Sequence, residues 1–340
     1  MKIFAVAFFV ASICVLTAAP SLAQEQANSP AWSEGAEVLK VPAIGFRIDT
    51  YSGIVFAQPK EQNKVHQLKM TILSPRTEEK KPAVIYFPGG GFTSADNEKF
   101  IEARTALAKA GFVVAGAQYR AVPNQFPAIV EDAKAAVRFL RAHAEEFGVD
   151  TNRIGILGDS AGGYLAEMVG TINGEKGWDV GDYLGQNSDV QAVISIYGIS
   201  DLTCIGEGLG KEIEEIHKSP AVTEALLVHG PAFGSFPGAS IMSDKGKALN
   251  ASPIGHVDGS EPPFLLMHGT ADTLVSPMQS KHLYEAMKAK GVDVRYILLE
   301  GAKHGDSPWF QDQVINIIVE WFKQKLGASE ATVEGAGSNL

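Results

Sequence analysis

Cysteine is scarce in this 340-residue chain, which has only Cys14 and Cys204. Cys14 lies in an N-terminal apolar run, so removal of that run would leave Cys204 alone, with no intramolecular disulfide to form. Stability must therefore come from a buried core. A composition of 45% hydrophobic and 20% charged residues suits one large α/β domain or two smaller ones. Beyond residue 20 no apolar run approaches the roughly 18 residues of a membrane-crossing helix, so no span is expected in the mature chain. Basic residues are outnumbered 29 to 39, for a net charge of −10, which argues against a nucleic-acid partner. Neither G-x-G-x-x-G nor a Walker-type G-K-[ST] is present, which sets aside a nucleotide-phosphate loop. There is no internal repeat, and nothing in the sequence points to an oligomeric state.

The two ends differ from the rest. Met1-Lys2 followed by apolar Ile3 to Ala18 and by Ser21-Leu22-Ala23 has the layout of a signal peptide cleaved near Ala23, implying export to the periplasm or beyond. Residues 24–37 are polar, with Pro30 and Gly35, and are expected to form a flexible leader. Gly327 to Leu340 is small and polar and is expected to be disordered.

Between them, residues 38–326 alternate strand and helix signals. Short strands are expected at Val38–Val41, Phe46–Ile48 and Ile54–Ala57, and a longer one at Val65–Leu73, stopping before Pro75. Continuous apolar runs predict buried strands at Ala83–Phe87, Gly111–Tyr119, Ile154–Gly158, Val190–Tyr197, Pro263–His268 and Val292–Leu299. Helical periodicity is expected over Asn97–Lys109, Ala128–Phe147, Ala161–Ile172, Pro277–Lys290 and Trp309–Leu326. This alternation implies a mostly parallel central sheet with helices on both faces. Such sheets place their ligand site at the carboxyl ends of the strands. Residues 204–258 break the pattern with a charged helical piece at Gly210–Lys218 and loop-rich sequence.

Four strand ends carry chemistry. Ile154 to Leu165 reads I-G-I-L-G-D-S-A-G-G-Y-L, a strand, a turn with Ser160 flanked by small residues, and a helix. That layout exposes a serine hydroxyl beside the helix's amide donors. Gly89-Gly90-Gly91 follows a buried strand and could offer backbone N–H groups to an oxyanion; a plain turn is the alternative. His304, in G-A-K-H-G just past a strand, is the best-placed general base among eight histidines; His268 ends a strand and suits a core or supporting role. Asp272, four residues past its strand, could orient an imidazole, or could be no more than an Asx turn. Asp201, Asp258 and Asp306 are rival acids, and Asp201 is the better placed of them.

On Y-F-P-G-G-G-F, G-D-S-A-G-G, H-G-T-A-D-T-L-V and G-A-K-H-G, the chain resembles the α/β-hydrolase superfamily. Within it, the chain is similar to secreted feruloyl and acetyl-xylan esterases and to hormone-sensitive-lipase-like carboxylesterases. The resemblance covers about Ala83 to Leu326. It implies Ser160 as nucleophile, Asp272 as acid and His304 as base, with an oxyanion hole from the amides of Ala161 and of Gly90 or Gly91. It implies no metal and no organic cofactor, and a small-molecule or carbohydrate-linked ester, acetyl or feruloyl for example, as substrate. It also places a small cap insertion at about 204–258, where Phe233 and Phe236 could line a pocket or pack the cap; Phe92 and Trp309 share that ambiguity. The resemblance departs at Pro88, where the common form has histidine. Proline has no N–H to donate, so the glycine loop must be held by other groups.

Two other readings remain. A serine peptidase of prolyl-oligopeptidase type shares G-x-S-x-G-G, but too few residues precede Ala83 to hold a propeller. A non-catalytic ligand-binding protein on a hydrolase scaffold typically lacks the nucleophile or base, and here all three groups are present.

Overall fold

The computed structural model describes residues 33–41, 45, 47–61 and 63–328. The expected signal peptide, most of the leader and residues 329–340 of the tail lie outside the described residues, as does Phe46. The chain divides into two units, Met1–Ala43 and Ile44–Leu340. In the first, residues 33–41 are exposed, with one turn closed by Ala36 N donating to Ser33 O (3.1 Å). The strand expected at Val38–Val41 is absent. A strand needs a partner for its backbone groups, and among the described residues these have none.

In the second unit the strands are β1 (Ile48–Ala57), β2 (Lys60–Glu61), β3 (Lys64–Val65), β4 (Leu68–Pro75), β5 (Lys81–Phe87), β6 (Val113–Ala117), β7 (Val149–Asp159), β8 (Ala192–Ile196), β9 (Phe264–Gly269) and β10 (Val294–Leu299). The helices are α1 (Ile101–Lys109), α2 (Ala128–Ala142), α3 (Ala144–Phe147), α4 (Ala161–Thr171), α5 (Lys211–Ile216), α6 (Thr223–His229), α7 (Lys245–Asn250), α8 (Met278–Ala289) and α9 (Asp312–Leu326). Eight strands form one sheet in the order β1-β4-β6-β5-β7-β8-β9-β10. From β6 to β10 all pairings are parallel, while β1 and β4 add an antiparallel edge. This is the α/β-hydrolase fold that the motifs imply.

The two short strands expected around Ser52-Gly53 are one strand. β1 pairs with β4 throughout and absorbs the turn signal as an irregularity between Tyr51 and Ile54, with Gly53 at φ +71°. β4 also runs through Pro75, at its end, instead of stopping before it. The long helix expected at Ala128–Phe147 breaks at His143 into α2 and α3.

Residues along the central strands alternate between two cores. Ile85, Phe87, Ile154, Ile156, Val193, Phe264 and Leu266 face one side, while Val84, Tyr86, Leu157, Ile194, Leu265 and Met267 face the other. Helices α2, α4 and α8 cover the first side and α1 and α9 the second. β5, β6, β8 and β9 are buried along their whole length, which is why they read as continuous apolar runs.

Helix α2 departs from simple amphipathicity, because its polar face is also buried. Arg138 donates to Asp179 Oδ1 (2.6 Å), Lys134 to Glu175 O (2.7 Å) and Arg141 to Asn187 O (2.6 Å) and Asp189 O (2.7 Å). Three cations thus pin the irregular segment between α4 and β8, and each is charge-neutralised or bonded to carbonyls as burial demands.

Glu167 on α4 is fully buried and accepts from Ser195 Oγ of β8 (2.6 Å), while its Oε2 has no partner among the described residues. Burial pushes its pKa up to about 8, against which the Ser195 hydrogen bond acts. An acid whose folded pKa is raised contributes stability that is fully present below its unfolded value and lost as pH rises through the folded value. Glu167→Gln should therefore flatten this dependence. Urea denaturation from pH 5 to pH 9 should show wild type losing about 1–3 kcal/mol relative to the variant. Parallel curves would mean that Glu167 stays in one protonation state.

Candidate active site

Ser160 stands between β7 and α4, at φ 53° and ψ −120°, a conformation that non-glycine residues seldom adopt. It persists because its neighbours fix it. Ser160 N donates to Ile196 O (2.9 Å) and Tyr164 N to Ser160 O (2.9 Å). The turn is so tight that a Cβ at Gly158 would overlap the backbone of Gly162, and one at Gly162 would overlap Phe87 O. This is the physical content of the G-x-S-x-G spacing.

His304 lies in the loop after β10 and Asp272 in the loop after β9. The structure brings them to Ser160. His304 Nδ1 lies 2.7 Å from Asp272 Oδ2, and Nε2 lies 2.9 Å from Ser160 Oγ. With the carboxylate fixing Nδ1 as the protonated nitrogen, Nε2 is left to accept from the serine hydroxyl. The His304 side chain is 15% exposed and that of Asp272 fully enclosed. Burial alone would raise the Asp272 pKa. The hydrogen bonds from His268 and His304, the His304 charge and the Val275 amide outweigh it, holding the carboxyl well below the usual range. Asp272 is therefore ionised wherever the protein is folded near neutrality. Its stabilising contribution is present above the unfolded carboxyl value and is lost only as pH falls through the lower folded value.

The rival acids go elsewhere. Asp201 Oδ1 accepts from Thr203 N (2.8 Å), Asp258 Oδ1 from Ser260 N (2.8 Å) and Asp306 Oδ2 from Lys303 N (3.1 Å). His268 is enclosed beneath Asp272, 3.4 Å from its Oδ2, with its Nδ1 2.8 Å from Ser280 Oγ.

The glycine loop faces the serine. A Cβ at Gly89 would lie 2.9 Å from Ser160 Cβ. Gly91 (φ 56°) and Phe92 (φ 61°) form a left-handed turn closed by Thr93 N donating to Gly90 O (2.9 Å). Among the described residues, the amides of Gly90, Gly91 and Ala161 have no protein acceptor. The three expected donors are thus free to bind an anion, Ala161 at a helix N-terminus. With proline at position 88, the loop is held by other groups. Asp159 Oδ1 accepts from Gly89 N (2.9 Å) and from Tyr86 Oη (2.7 Å). Tyr119 Oη donates to Pro88 O (2.8 Å), and Lys99 Nζ donates to Gly89 O (3.1 Å). Burial raises the Asp159 pKa against the opposing pull of the Tyr86 and Gly89 hydrogen bonds and the Lys99 charge.

Sequence reasoning missed Asp159, although it stands inside G-D-S-A-G-G. It also missed Tyr197, which ends the β8 run at φ 41°. The Tyr197 ring lies 4.5 Å from that of His304 and 4.8 Å from that of Trp309. Trp309 is buried and donates to Lys303 O (2.8 Å), so it buttresses the histidine loop. Phe92 is buried edge-on against Tyr164. Phe233 is 87% exposed, in a small hairpin with Phe236. Residues 204–258 form α5, α6, α7 and two 3-10 turns between β8 and β9, fastened to the core by Tyr164 Oη donating to Ala251 O (2.8 Å).

A family model described as BD-FAE matches residues 70–287. Esterase LipC of Mycobacterium tuberculosis is 28% identical over 227 residues, 66% of this chain and 53% of LipC. The chain spans about half the length of the curated relatives it matches. Among solved structures, a truncated carbohydrate esterase from gut microbiota is 26% identical with a TM-score of 0.69, covering 84% of this chain and 99% of that one. A bifunctional GH43-CE protein of Bacteroides eggerthii is 28% identical with a TM-score of 0.70, covering 82% of this chain and 35% of that one.

The Asp159 geometry leads to a specific expectation. Asp159→Ala strands Gly89 N and Tyr86 Oη and frees the glycine loop. For any ester that the wild type turns over, kcat should fall about 10- to 100-fold with KM nearly unchanged. A loss confined to KM would show that the loop orients substrate and not the developing oxyanion.

Proposed function

We propose that this chain, which belongs to the BD-FAE family and has the α/β-hydrolase fold, hydrolyses carboxylic esters through an acyl-enzyme on Ser160. The observation that carries the reading is the unbroken line Asp272 Oδ2 to His304 Nδ1 (2.7 Å), then His304 Nε2 to Ser160 Oγ (2.9 Å). In this reading His304 takes the hydroxyl proton as Ser160 Oγ attacks the ester carbonyl carbon. The buried Asp272 carboxylate holds the imidazole's orientation and stabilises the imidazolium. The new oxyanion lies against the amides of Ala161 and of Gly90 or Gly91, each donor worth roughly 3–4 kcal/mol in the transition state. The proton on Nε2 then passes to the leaving alcohol. Water, deprotonated by the same nitrogen, attacks the acyl carbonyl and returns the free serine. No step calls for a metal or an organic cofactor.

The relatives' names support ester chemistry, and the carbohydrate esterases among the structural neighbours point to a short acyl group on a carbohydrate-linked alcohol, acetyl or feruloyl for example. The exposure of Gly91, Lys303 and Gly305 beside the serine suits a substrate attached to a larger body.

The test is hydrolysis of a short-chain p-nitrophenyl acyl series, acetylated xylan and methyl ferulate, comparing wild type with Ser160→Ala and Asp272→Asn. Ser160→Ala should lose about 10⁴-fold or more in kcat on every ester, and Asp272→Asn about 10³- to 10⁴-fold, with folding intact by circular dichroism. Wild-type turnover that persists in Ser160→Ala would remove the serine mechanism. Cleavage of peptides but of no ester would favour the peptidase reading.

A further inference from the structure

One group of side chains outside the serine site combines three different metal-binding chemistries. Cys204 and Glu207 lie in the segment after β8, and His282 lies on α8. One potential ligand atom from each, the Cys204 thiol sulfur, a Glu207 carboxylate oxygen and a His282 ring nitrogen, lies within 4.8 Å of the other two. Glu207 Oε2 and His282 Nδ1 are 3.8 Å apart. A tetrahedral ion with bonds of about 2.0–2.3 Å spaces its ligands by roughly 3.3–3.8 Å, so small side-chain rotations close the set.

The backbone on both sides is already fixed. Gln279 Nε2 donates to Cys204 O (3.0 Å), and Ser276 Oγ donates to Glu207 O (2.5 Å). Gln279 Oε1 accepts from Ser200 N (2.9 Å) and Asp201 N (2.8 Å). A cavity of about 220 Å³ borders Cys204 and Glu207 and is also lined by Glu214, His217 and Met242. It opens on the Cys204 and Glu207 side of the set, with Lys218 also on its wall, and gives a water access as fourth ligand.

We propose that Cys204, Glu207 and His282 bind a divalent cation of the Zn²⁺ class, which clamps the start of the 204–258 segment to α8. A thiolate, an imidazole and a carboxylate suit Zn²⁺ or Co²⁺ and not the oxygen-seeking Mg²⁺ or Ca²⁺. Binding replaces the Cys204 S–H proton, which leaves to solvent, by a sulfur–metal bond. The clamp is distinct from the serine site but connected to it. Ser276, which bonds to Glu207 and whose amide donates to Ile205 O (3.3 Å), lies in the same β9–α8 loop as Asp272.

The test uses the full chain, reduced and stripped with a chelator, then titrated with Co²⁺. One equivalent should produce the near-ultraviolet thiolate-to-cobalt charge-transfer band. Cys204→Ser should abolish the band, and His282→Asn should weaken binding at least tenfold. Zn²⁺ at a hundredfold excess over its Kd should raise the wild-type Tm by roughly 5 °C and that of either variant by far less. Mg²⁺ should do neither. Both variants are at half-buried positions and should fold, which circular dichroism checks. Absence of the band in folded wild type, or Co²⁺ binding that both variants retain unchanged, would overturn the proposal.

Discussion

The structure depends on a steric constraint at the junction of β7 and α4. Three backbone segments pass so close there that a side chain at Gly158 or Gly162 would collide with the main chain. The contact forces Ser160 into a left-handed conformation that costs of order 1–3 kcal/mol. The fully buried Ala161, Tyr164 and Leu165, together with the hydrogen bond to Ile196, offset that cost. What results is a hydroxyl held out of the turn beside the free amide of Ala161. The glycine loop, the acid loop and the histidine loop are all arranged around that fixed point.

Three buried carboxyl groups near the junction have different roles because their surroundings differ. Asp272 accepts from two histidines and two backbone amides, so its ionised form is favoured despite burial. Asp159 is ringed by the Tyr86 hydroxyl and the Gly89 amide, and burial dominates. Glu167 has a single hydroxyl donor and an orphaned oxygen, so its neutral form is favoured most clearly. Partner number and depth of burial together separate the three. The same accounting explains how Pro88 is accommodated. The Asp159 carboxylate and the Tyr119 and Lys99 donors bond to the loop's backbone, and none of them needs an N–H at position 88.

Much of this was legible in the sequence, for a definite reason. Strands buried on both faces must be apolar throughout, so A-V-I-Y-F and P-F-L-L-M-H declare themselves, and the turn after each carries whatever the sheet presents at its carboxyl edge. Ser160 and His304 stand out on that ground, and Asp272 as one of several candidate acids. Less legible was anything fixed by a partner far along the chain. Val38–Val41 has strand composition but, among the described residues, no strand that pairs with it. Ser52-Gly53 has turn composition but is carried through by pairing to β4. The charged residues of α2 look solvent-facing until the segment before β8 covers them.

By itself, then, the sequence determined the alternating strand–helix order, the strained serine turn and the residue types at each strand end, because these follow from periodicity and local sterics. Only the tertiary structure decided which of several aspartates meets His304, that Asp159 holds the glycine loop, that Tyr197 and Trp309 back the histidine, and that Cys204 and Glu207 come together with His282. Most of those pairings join residues tens to more than a hundred positions apart. No local rule of composition or spacing fixes them; the packing of the sheet and its connecting loops does.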